Sequence, residues 1–279
     1  MPESKFVIAN GLRLHYLDFG NTSGPPIICI HGLTANAHSF DAVAPRLAGR
    51  YHVMSVEVRG RGESQWGPPT EYTLPAYVSD LRAMLEALSI PRASLIGTSM
   101  GGMISMTFAV MYPAKVERIV LNDIGPEIDP TGLQRIMDYV IDPPDEFKNM
   151  AEVVAYYRET YPPIAKESDA VIIEWVRWSV KPTPHGTLTW KMDPAVREAI
   201  RQAQATPAPP VDLWAAYAMI AAPVLVVRGA ESDILSPTTA RRMCEVSRDT
   251  RMVEVPGVGH APSLSEPVAV KALAEFFGL

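Results

Sequence analysis

The sequence has few features of a membrane, nucleic-acid-binding or disulfide-stabilised protein. Its 279 residues include only two cysteines, Cys29 and Cys244, with neither the density of a disulfide scaffold nor the spacing of a metal site. Lys and Arg total 25 against 31 Asp and Glu, the formal net charge is -6, and no dense run of Lys and Arg occurs. Nucleic acid and anionic membranes are therefore poor predictions for a partner.

Long apolar runs and cofactor fingerprints are also missing. No window approaches the roughly 18 apolar residues of a membrane span, and residues 1–10 are too polar for a signal peptide. We therefore expect a cytoplasmic protein with no membrane partner. The glycine-rich stretch 59–64 lacks the third glycine and the helix of a dinucleotide fingerprint, and it lacks the Gly-Lys-Ser/Thr of a P-loop. The sequence predicts no cofactor and no metal ion.

Short apolar runs alternate with amphipathic helical stripes along most of the chain. Residues 27–30 and 224–227 are continuous apolar runs, typical of strands that are buried on both faces. Residues 74–88 carry a helical stripe, and an Asn-Gly pair at residues 10–11 predicts a hairpin near the N-terminus. This alternation predicts an α/β fold with a mostly parallel sheet covered by helices on both faces.

The composition and the hydrophobic pattern of the sequence change between residues 125 and 210. There the β-like apolar runs disappear, prolines cluster and helical stripes take over. We interpret 125–210 as a helical cap inserted after the sixth strand of a core domain, itself formed by residues 1–124 and 211–279. Six aromatic residues of this segment either line a substrate cavity or pack a core: Tyr139, Tyr156, Tyr157, Trp175, Trp178 and Trp190.

The chemistry of the chain is predicted to centre on a Gly-x-Ser-x-Gly pattern at residues 97–101. It lies between a short apolar run, 94–96, and a helix-forming segment, 100–111. The tight turn between them places the central Ser99 in strained geometry and aims its hydroxyl outward, and the two glycines let strand and helix approach closely. Because the positive end of the helix faces this place, the Met100 amide is a predicted oxyanion donor.

A serine hydroxyl becomes a useful nucleophile only when a base takes its proton and a carboxylate orients that base. His260 is the predicted base, because it alone among the histidines sits in a loop directly after a late predicted strand. Asp233 lies beyond the C-terminal end of the strand at 224–228, where catalytic groups of open α/β sheets gather. It is the favoured acid, and Asp123, just after the preceding strand, is the alternative.

With Ser99, Asp233 and His260 in this order, the chain resembles the α/β-hydrolase superfamily over nearly its full length. The resemblance implies that the His-Gly-Leu motif at residues 31–33 is the oxyanion motif, so that the Leu33 amide becomes the second oxyanion donor. It also implies the α/β-hydrolase fold with its cap after the sixth strand.

The resemblance further implies an enzyme that uses an acyl-serine. A serine at this turn excludes the dehalogenases and epoxide hydrolases of the fold, which use an aspartate nucleophile. We expect a carboxylic ester hydrolase or lactonase, a monomer or homodimer, that acts on a small-molecule ester, thioester or lactone. The alternatives are a hydrolase of C–C bonds in ring-cleavage products, with Arg158 or Arg177 on a substrate carboxylate, and a ligand receptor that kept the hydrolase pocket.

Overall fold

The computed structural model describes residues 1–161, 164–165, 167–205 and 212–279. The strands are β1 (Glu3–Ala9), β2 (Leu12–Asp18), β3 (Pro26–Ile30), β4 (His52–Val56), β5 (Ala93–Thr98), β6 (Val116–Asn122), β7 (Glu146–Phe147), β8 (Val180–Pro182), β9 (Leu188–Trp190), β10 (Val224–Gly229) and β11 (Thr250–Val255). The α-helices are α1 (Ala44–Leu47), α2 (Leu74–Ala87), α3 (Met100–Met111), α4 (Pro130–Ile141), α5 (Met150–Thr160), α6 (Asp169–Val176), α7 (Pro194–Ala205), α8 (Leu213–Ala218), α9 (Pro237–Val246) and α10 (Pro267–Phe277). Across the described ranges, no helix is both long and apolar enough to cross a bilayer.

Eight strands form one large sheet in the order β1-β2-β4-β3-β5-β6-β10-β11. The first three strands of this order pair antiparallel, and all the other neighbours pair parallel. The hairpin between β1 and β2 turns at Asn10 and Gly11, whose φ angles are 49° and 75°, as an Asn-Gly hairpin turn requires. The predicted hairpin and the mostly parallel sheet are both confirmed.

The sheet is buried on both faces, as the continuous apolar runs predict. In β3, Ile28 and Ile30 pack into the cluster covered by α2, α3, α8 and α9, whereas Ile27 and Cys29 pack into the opposite cluster under α1 and α10. Fully burying such a side chain stabilises the fold by about 1.5–3 kcal/mol. These two apolar layers hold the carboxyl ends of the parallel strands in place, where the polar residues discussed below are found.

The segment between β6 and β10 contains helices and also a small sheet. Strands β7, β9 and β8 pair antiparallel in that order, so the segment predicted as a helical cap also contains a small sheet that the sequence did not predict. Each strand has only two or three residues, too few to give an apolar run in the sequence. The segment has its own apolar cluster, which includes Phe147, Val153, Ile172 and Val176. Its predicted C-terminal boundary at residue 210 lies outside the described residues.

Candidate active site

The serine of the Gly-x-Ser-x-Gly pattern lies at a sharp corner between a strand and a helix. β5 ends at Thr98, α3 begins at Met100, and Ser99 between them has a φ of 51°. Residues with a side chain rarely adopt positive φ, so backbone strain is concentrated at this serine. A Cβ on Gly97 would lie only 2.3 Å from the Gly101 carbonyl oxygen, which explains why the corner needs glycine. The predicted strand–turn–helix corner is confirmed.

A histidine and an aspartate extend from this serine in one hydrogen-bonded chain. His260 lies in the loop after β11 and is buried, with its Nε2 3.0 Å from Ser99 Oγ. Its Nδ1 lies 2.8 Å from Asp123 Oδ2. An ionised carboxylate can only accept hydrogen bonds, so Nδ1–H donates to Asp123. The unprotonated Nε2 is then left facing the Ser99 hydroxyl, where it can accept a proton.

Asp123 is completely buried and receives three hydrogen bonds. It follows β6 directly, with a φ of 57° and an exposed fraction of 0%. Besides the His260 ring, Ser232 Oγ donates to its Oδ2 at 2.5 Å and the Gly229 amide donates to its Oδ1 at 2.9 Å. Burying a charged carboxylate is costly unless such donors replace water. Here the donors come from the end of β10 and the loop after it, and they fix the carboxylate against His260.

The prediction that Asp233 contacts His260 is wrong. The carboxylate of Asp233 instead forms a bidentate ion pair with Arg135 of α4, with N···O distances of 2.5 and 2.8 Å. Hydrogen bonding to Arg135 lowers the pKa of Asp233 below its usual value. The loop after β10 directs Ser232 toward Asp123, so Asp123, the alternative acid in the sequence, is the one beside His260.

The loop after β3 passes close to Ser99 and is held by a buried histidine. A Cβ on Gly32 would lie 3.7 Å from the Ser99 Cβ. Nδ1 of His31 donates to the Gly32 carbonyl at 2.7 Å, and its Nε2 accepts from the Val58 amide at 3.2 Å. One donor and one acceptor require a neutral ring, and complete burial lowers the pKa of His31 to about 4. His31 therefore anchors the loop without carrying charge.

A buried arginine connects the two segments that carry the predicted oxyanion amides. Nε of Arg61 donates to the Leu33 carbonyl at 3.2 Å, and its Nη2 lies 3.8 Å from Met100 Sδ. Its Nη1 donates to the Arg59 carbonyl and to the Tyr77 hydroxyl. Met100 begins α3, and the first amides of a helix have no acceptor within that helix. The role of the Leu33 and Met100 amides as oxyanion donors stays a prediction.

A cavity of about 410 Å³ opens beside Ser99 and His260. The loop after β3 and the segment between β6 and β10 contribute most of its wall, and its volume suits a small molecule. All six aromatic residues named from the sequence line it: Tyr139, Tyr156, Tyr157, Trp175, Trp178 and Trp190.

The two arginines named for a substrate carboxylate are both engaged elsewhere. Arg177 lines the cavity but pairs with Glu174 at 3.0 Å. Arg158 pairs with Asp169 at 2.7 Å and does not line the cavity. In the part of the chain that the structure describes, no group of three or more His, Cys, Asp or Glu side chains is placed to share a metal ion.

A comparison with known protein families agrees with the geometry of this site. Residues 27–273, which include every residue of the Ser99 site, match the model of the "Alpha/beta hydrolase family". The chain belongs to this family. The hydrolase resemblance drawn from the Gly-x-Ser-x-Gly pattern and the α/β-hydrolase fold are both confirmed.

The hydrolase is similar to proteins of named activity and to solved structures along almost its whole length. It is 35% identical to the 3-hydroxybutyrate-oligomer hydrolase of Cupriavidus necator, over 95% of this chain and 92% of that protein. It is 29% identical to the 2-(acetamidomethylene)succinate hydrolase of Mesorhizobium japonicum, over 91% and 88%. The crystal structure of an α/β hydrolase from Novosphingobium aromaticivorans has 34% identity and a TM-score of 0.90, over 99% and 98%.

Three polar residues of the hydrolase site escape prediction from the sequence. Ser232 has no local signal, because it is one of several small polar residues in its loop. Arg61 lies in a glycine-rich turn, where its burial depends on distant aromatic residues. Arg197 of α7 is buried in the cavity wall, but the same amphipathic helix carries a second arginine, Arg201, so the sequence alone does not mark the buried one.

Proposed function

We propose that the protein is a serine hydrolase that cleaves a small ester or thioester through an acyl-enzyme on Ser99. One observation carries the proposal: a strained serine beside a cavity contacts the Nε2 of His260, whose Nδ1 contacts the buried Asp123. Nucleophile, base and orienting acid need this order of contacts.

The proposed mechanism follows from these contacts. His260 Nε2 takes the proton as Ser99 Oγ attacks the carbonyl carbon, and Asp123 stabilises the imidazolium that results. The tetrahedral intermediate then expels the alcohol or thiol, which receives the proton from His260. Water attacks the acyl-serine as His260 takes one of its protons, and His260 then returns this proton to Ser99 Oγ as the acid is released.

We assign the oxyanion of this intermediate to the amides of Leu33 and Met100. The first belongs to the loop that His31 anchors, and the second to the first residue of α3, where the positive end of the helix dipole favours a developing negative charge. Arg61, which contacts both residues, would hold them at a constant separation. Preorganised donors of this kind need no rearrangement when the charge develops.

The substrate class is proposed from the cavity and from the relatives. A relative of 35% identity is named for hydrolysis of 3-hydroxybutyrate oligomers, which favours an ester of a short hydroxy acid. The segment 125–210 would act as a cap, because its aromatic residues form much of the cavity wall above Ser99. We propose that this cap, and not the catalytic loops, selects the acyl chain.

A second candidate is hydrolysis of a substrate that carries carboxylates and in which the cleaved bond is not an ester. It is favoured by the relative named 2-(acetamidomethylene)succinate hydrolase, although Arg177 and Arg158 are already paired with carboxylates. A panel of p-nitrophenyl esters, lactones and ring-fission dienones separates the two candidates. Binding without turnover of any of these compounds would favour a receptor.

The test of the proposal is the variant Ser99→Ala. We expect it to fold normally and to lose ester hydrolysis by about 10⁴- to 10⁶-fold, because only binding and oxyanion assistance remain. The measurement is the rate of nitrophenolate release at a fixed ester concentration, beside a thermal melt.

The matched control is Ser105→Ala, which removes a buried serine of α3. Ser105 Oγ donates to the Gly101 carbonyl within its own helix, so this variant should keep its activity. Turnover at the wild-type rate in Ser99→Ala would disprove the acyl-serine mechanism.

A further inference from the structure

One wall of the active-site cavity contains a buried cation. Arg197 lies within α7, its residue is only 5% exposed, and it lines the cavity together with Trp190 and Met192. Its guanidinium carbon is 5.9 Å from the centre of the Trp190 ring. Burial lowers the pKa of Arg197, since the low-polarity surroundings disfavour the charged form. An arginine still keeps its charge in a protein, so this positive charge needs a partner.

The hydrogen bonds of Arg197 are incomplete. Its Nε and Nη2 atoms are buried and have no hydrogen-bond partner among the described residues. Its Nη1 is 3.6 Å from Asp145 Oδ1, too far for a hydrogen bond, and the Asp145 side chain is 94% exposed. A solvated carboxylate at this distance compensates a buried cation weakly. Buried donors without partners are rare in native proteins, and a ligand is one established reason for them.

The other ionisable side chains of the cavity wall already have partners within the protein. Glu174 pairs with Arg177 at 3.0 Å, and His38 Nδ1 lies 2.8 Å from Asp41 Oδ2. Among the arginines that line the cavity within the described residues, Arg197 is thus the one without a close carboxylate. The cavity consequently combines apolar aromatic walls with one positive charge that has no full partner.

We propose that Arg197 binds a carboxylate carried by the substrate, at the end of the acyl chain away from the bond that is cleaved. This inference rests on the serine-hydrolase function proposed above and narrows its substrate class to anionic esters. A guanidinium presents paired N–H groups that match the two oxygens of a carboxylate. The substrate's carboxylate would supply the acceptors that Nε and Nη2 lack, while its chain packs against the aromatic wall.

The experiment compares charged and neutral esters of the same length. The charged probes are the mono-4-nitrophenyl esters of succinic, glutaric and adipic acid, and the neutral probes are their methyl 4-nitrophenyl diesters. We expect the wild-type protein to have a higher kcat/KM for at least one charged probe than for its neutral partner. Arg197→Gln should lower this preference about 10- to 100-fold, the usual effect of losing a charged hydrogen bond, and leave the neutral probes nearly unchanged.

The matched control is Arg201→Gln, one turn further along α7. Arg201 pairs with Asp142 at the surface, is not part of the cavity wall, and should keep the wild-type preference. Arg197→Lys preserves a charge in case the glutamine variant fails to fold, and should retain part of the preference. Calorimetric binding of glutarate to Ser99→Ala, with and without Arg197→Gln, gives a readout independent of turnover, with an expected weakening of at least tenfold.

Three results would overturn the carboxylate site. They are a wild-type protein that does not prefer any charged probe, an Arg197→Gln variant that loses charged and neutral hydrolysis equally, and glutarate binding that is unaffected by Arg197→Gln. The equal loss would show that Arg197 only supports the fold. None of these results affects the serine mechanism, which the activity of Ser99→Ala tests separately.

Discussion

At the scale of single residues, Asp123 is more deeply buried than Asp233 and accepts hydrogen bonds from three residues. The His260 ring, the Ser232 hydroxyl and the Gly229 amide all donate to it, and Asp123 has no exposed surface. Hydrogen bonds to a charged group are strong in such surroundings, and they fix the direction of the imidazole as well. Asp233 has one strong partner, Arg135, and remains partly exposed.

This difference predicts unequal effects of two matching substitutions. Asp123→Asn should lower kcat by about 10⁴-fold, the loss seen in serine proteases when an amide at this place stabilises the wrong imidazole tautomer. Asp233→Asn should keep most of the activity. The measurement is kcat for one p-nitrophenyl ester with both variants, and a greater loss in Asp233→Asn would make Asp233 the catalytic acid.

Asp233→Asn should instead lower the free energy of unfolding. The pKa of Asp233 is lowered in the folded protein, so its ion pair with Arg135 stabilises the fold above the unfolded-state pKa, and this contribution is lost as the pH falls. Because the pair is partly exposed, we expect a loss of about 0.2–1 kcal/mol at neutral pH. Urea unfolding should show the variant and the wild type converging at acid pH, and a constant gap would contradict this.

The sequence does not show which of the two aspartates contacts His260, and the reason is physical. Both follow the carboxyl ends of neighbouring parallel strands, β6 and β10, so both lie at the same edge of the sheet. Asp233 pairs instead with Arg135, which belongs to a helix and lies 98 residues earlier in the sequence. Long-range pairs of this kind leave no local pattern.

At the scale of elements, the corner between β5 and α3 is the part of the site that the sequence predicts best. Its causes are local: a buried strand, glycines where backbones touch, and a helix that begins at Met100. The three short strands β7, β8 and β9 have no comparable signal, because their order and pairing depend on the fold of the whole segment. The sequence identifies the six aromatic residues of the inserted segment as a group. It does not show which of them line the cavity and which pack in the core of the segment.

Helix α6 allows the two roles of these aromatic residues to be separated. Trp175 lines the cavity yet is 49% exposed, so Trp175→Ala should shift the relative kcat/KM among acyl chain lengths by roughly 10- to 200-fold with little loss of stability. Val171, one turn earlier, is similarly exposed and does not line the cavity. Val171→Ala is therefore the control, and its chain-length profile should match that of the wild type.

Tyr157 on α5 should behave differently. Its ring packs against Tyr156, Tyr161 and Trp190, and burial raises the pKa of its hydroxyl. Tyr157→Ala should alter the chain-length profile and also lower the melting temperature. The loss of stability should be smaller than the about 3–5 kcal/mol that truncating a fully buried ring costs, because Tyr157 is only partly buried. A reduced melting temperature with an unchanged profile would remove Tyr157 from the substrate site.

At the scale of the whole molecule, the inserted segment has one apolar cluster of its own and also joins a cluster of the sheet through α4 and α7, and the cavity lies between the sheet and this segment. The two sheet clusters hold Ser99, Asp123 and His260 through the ends of β5, β6 and β11. The third cluster belongs to the inserted segment. We therefore expect changes in the third core to affect which substrate is accepted, and changes in the sheet to affect turnover of every substrate.

The central claim is that Ser99 is the activated nucleophile, and labelling with a fluorophosphonate tests it most directly. This reagent reacts with a serine whose proton is taken by a neighbouring base. The hydroxyls of Ser64 and Ser105 instead donate to the backbone carbonyls of Glu57 and Gly101, and no base among the residues that the structure describes accepts from them. Peptide mapping by mass spectrometry should find one adduct, on Ser99, in a protein that has lost its hydrolysis. An adduct on Ser64 or Ser105, or a fully labelled protein that still hydrolyses ester, would contradict the mechanism.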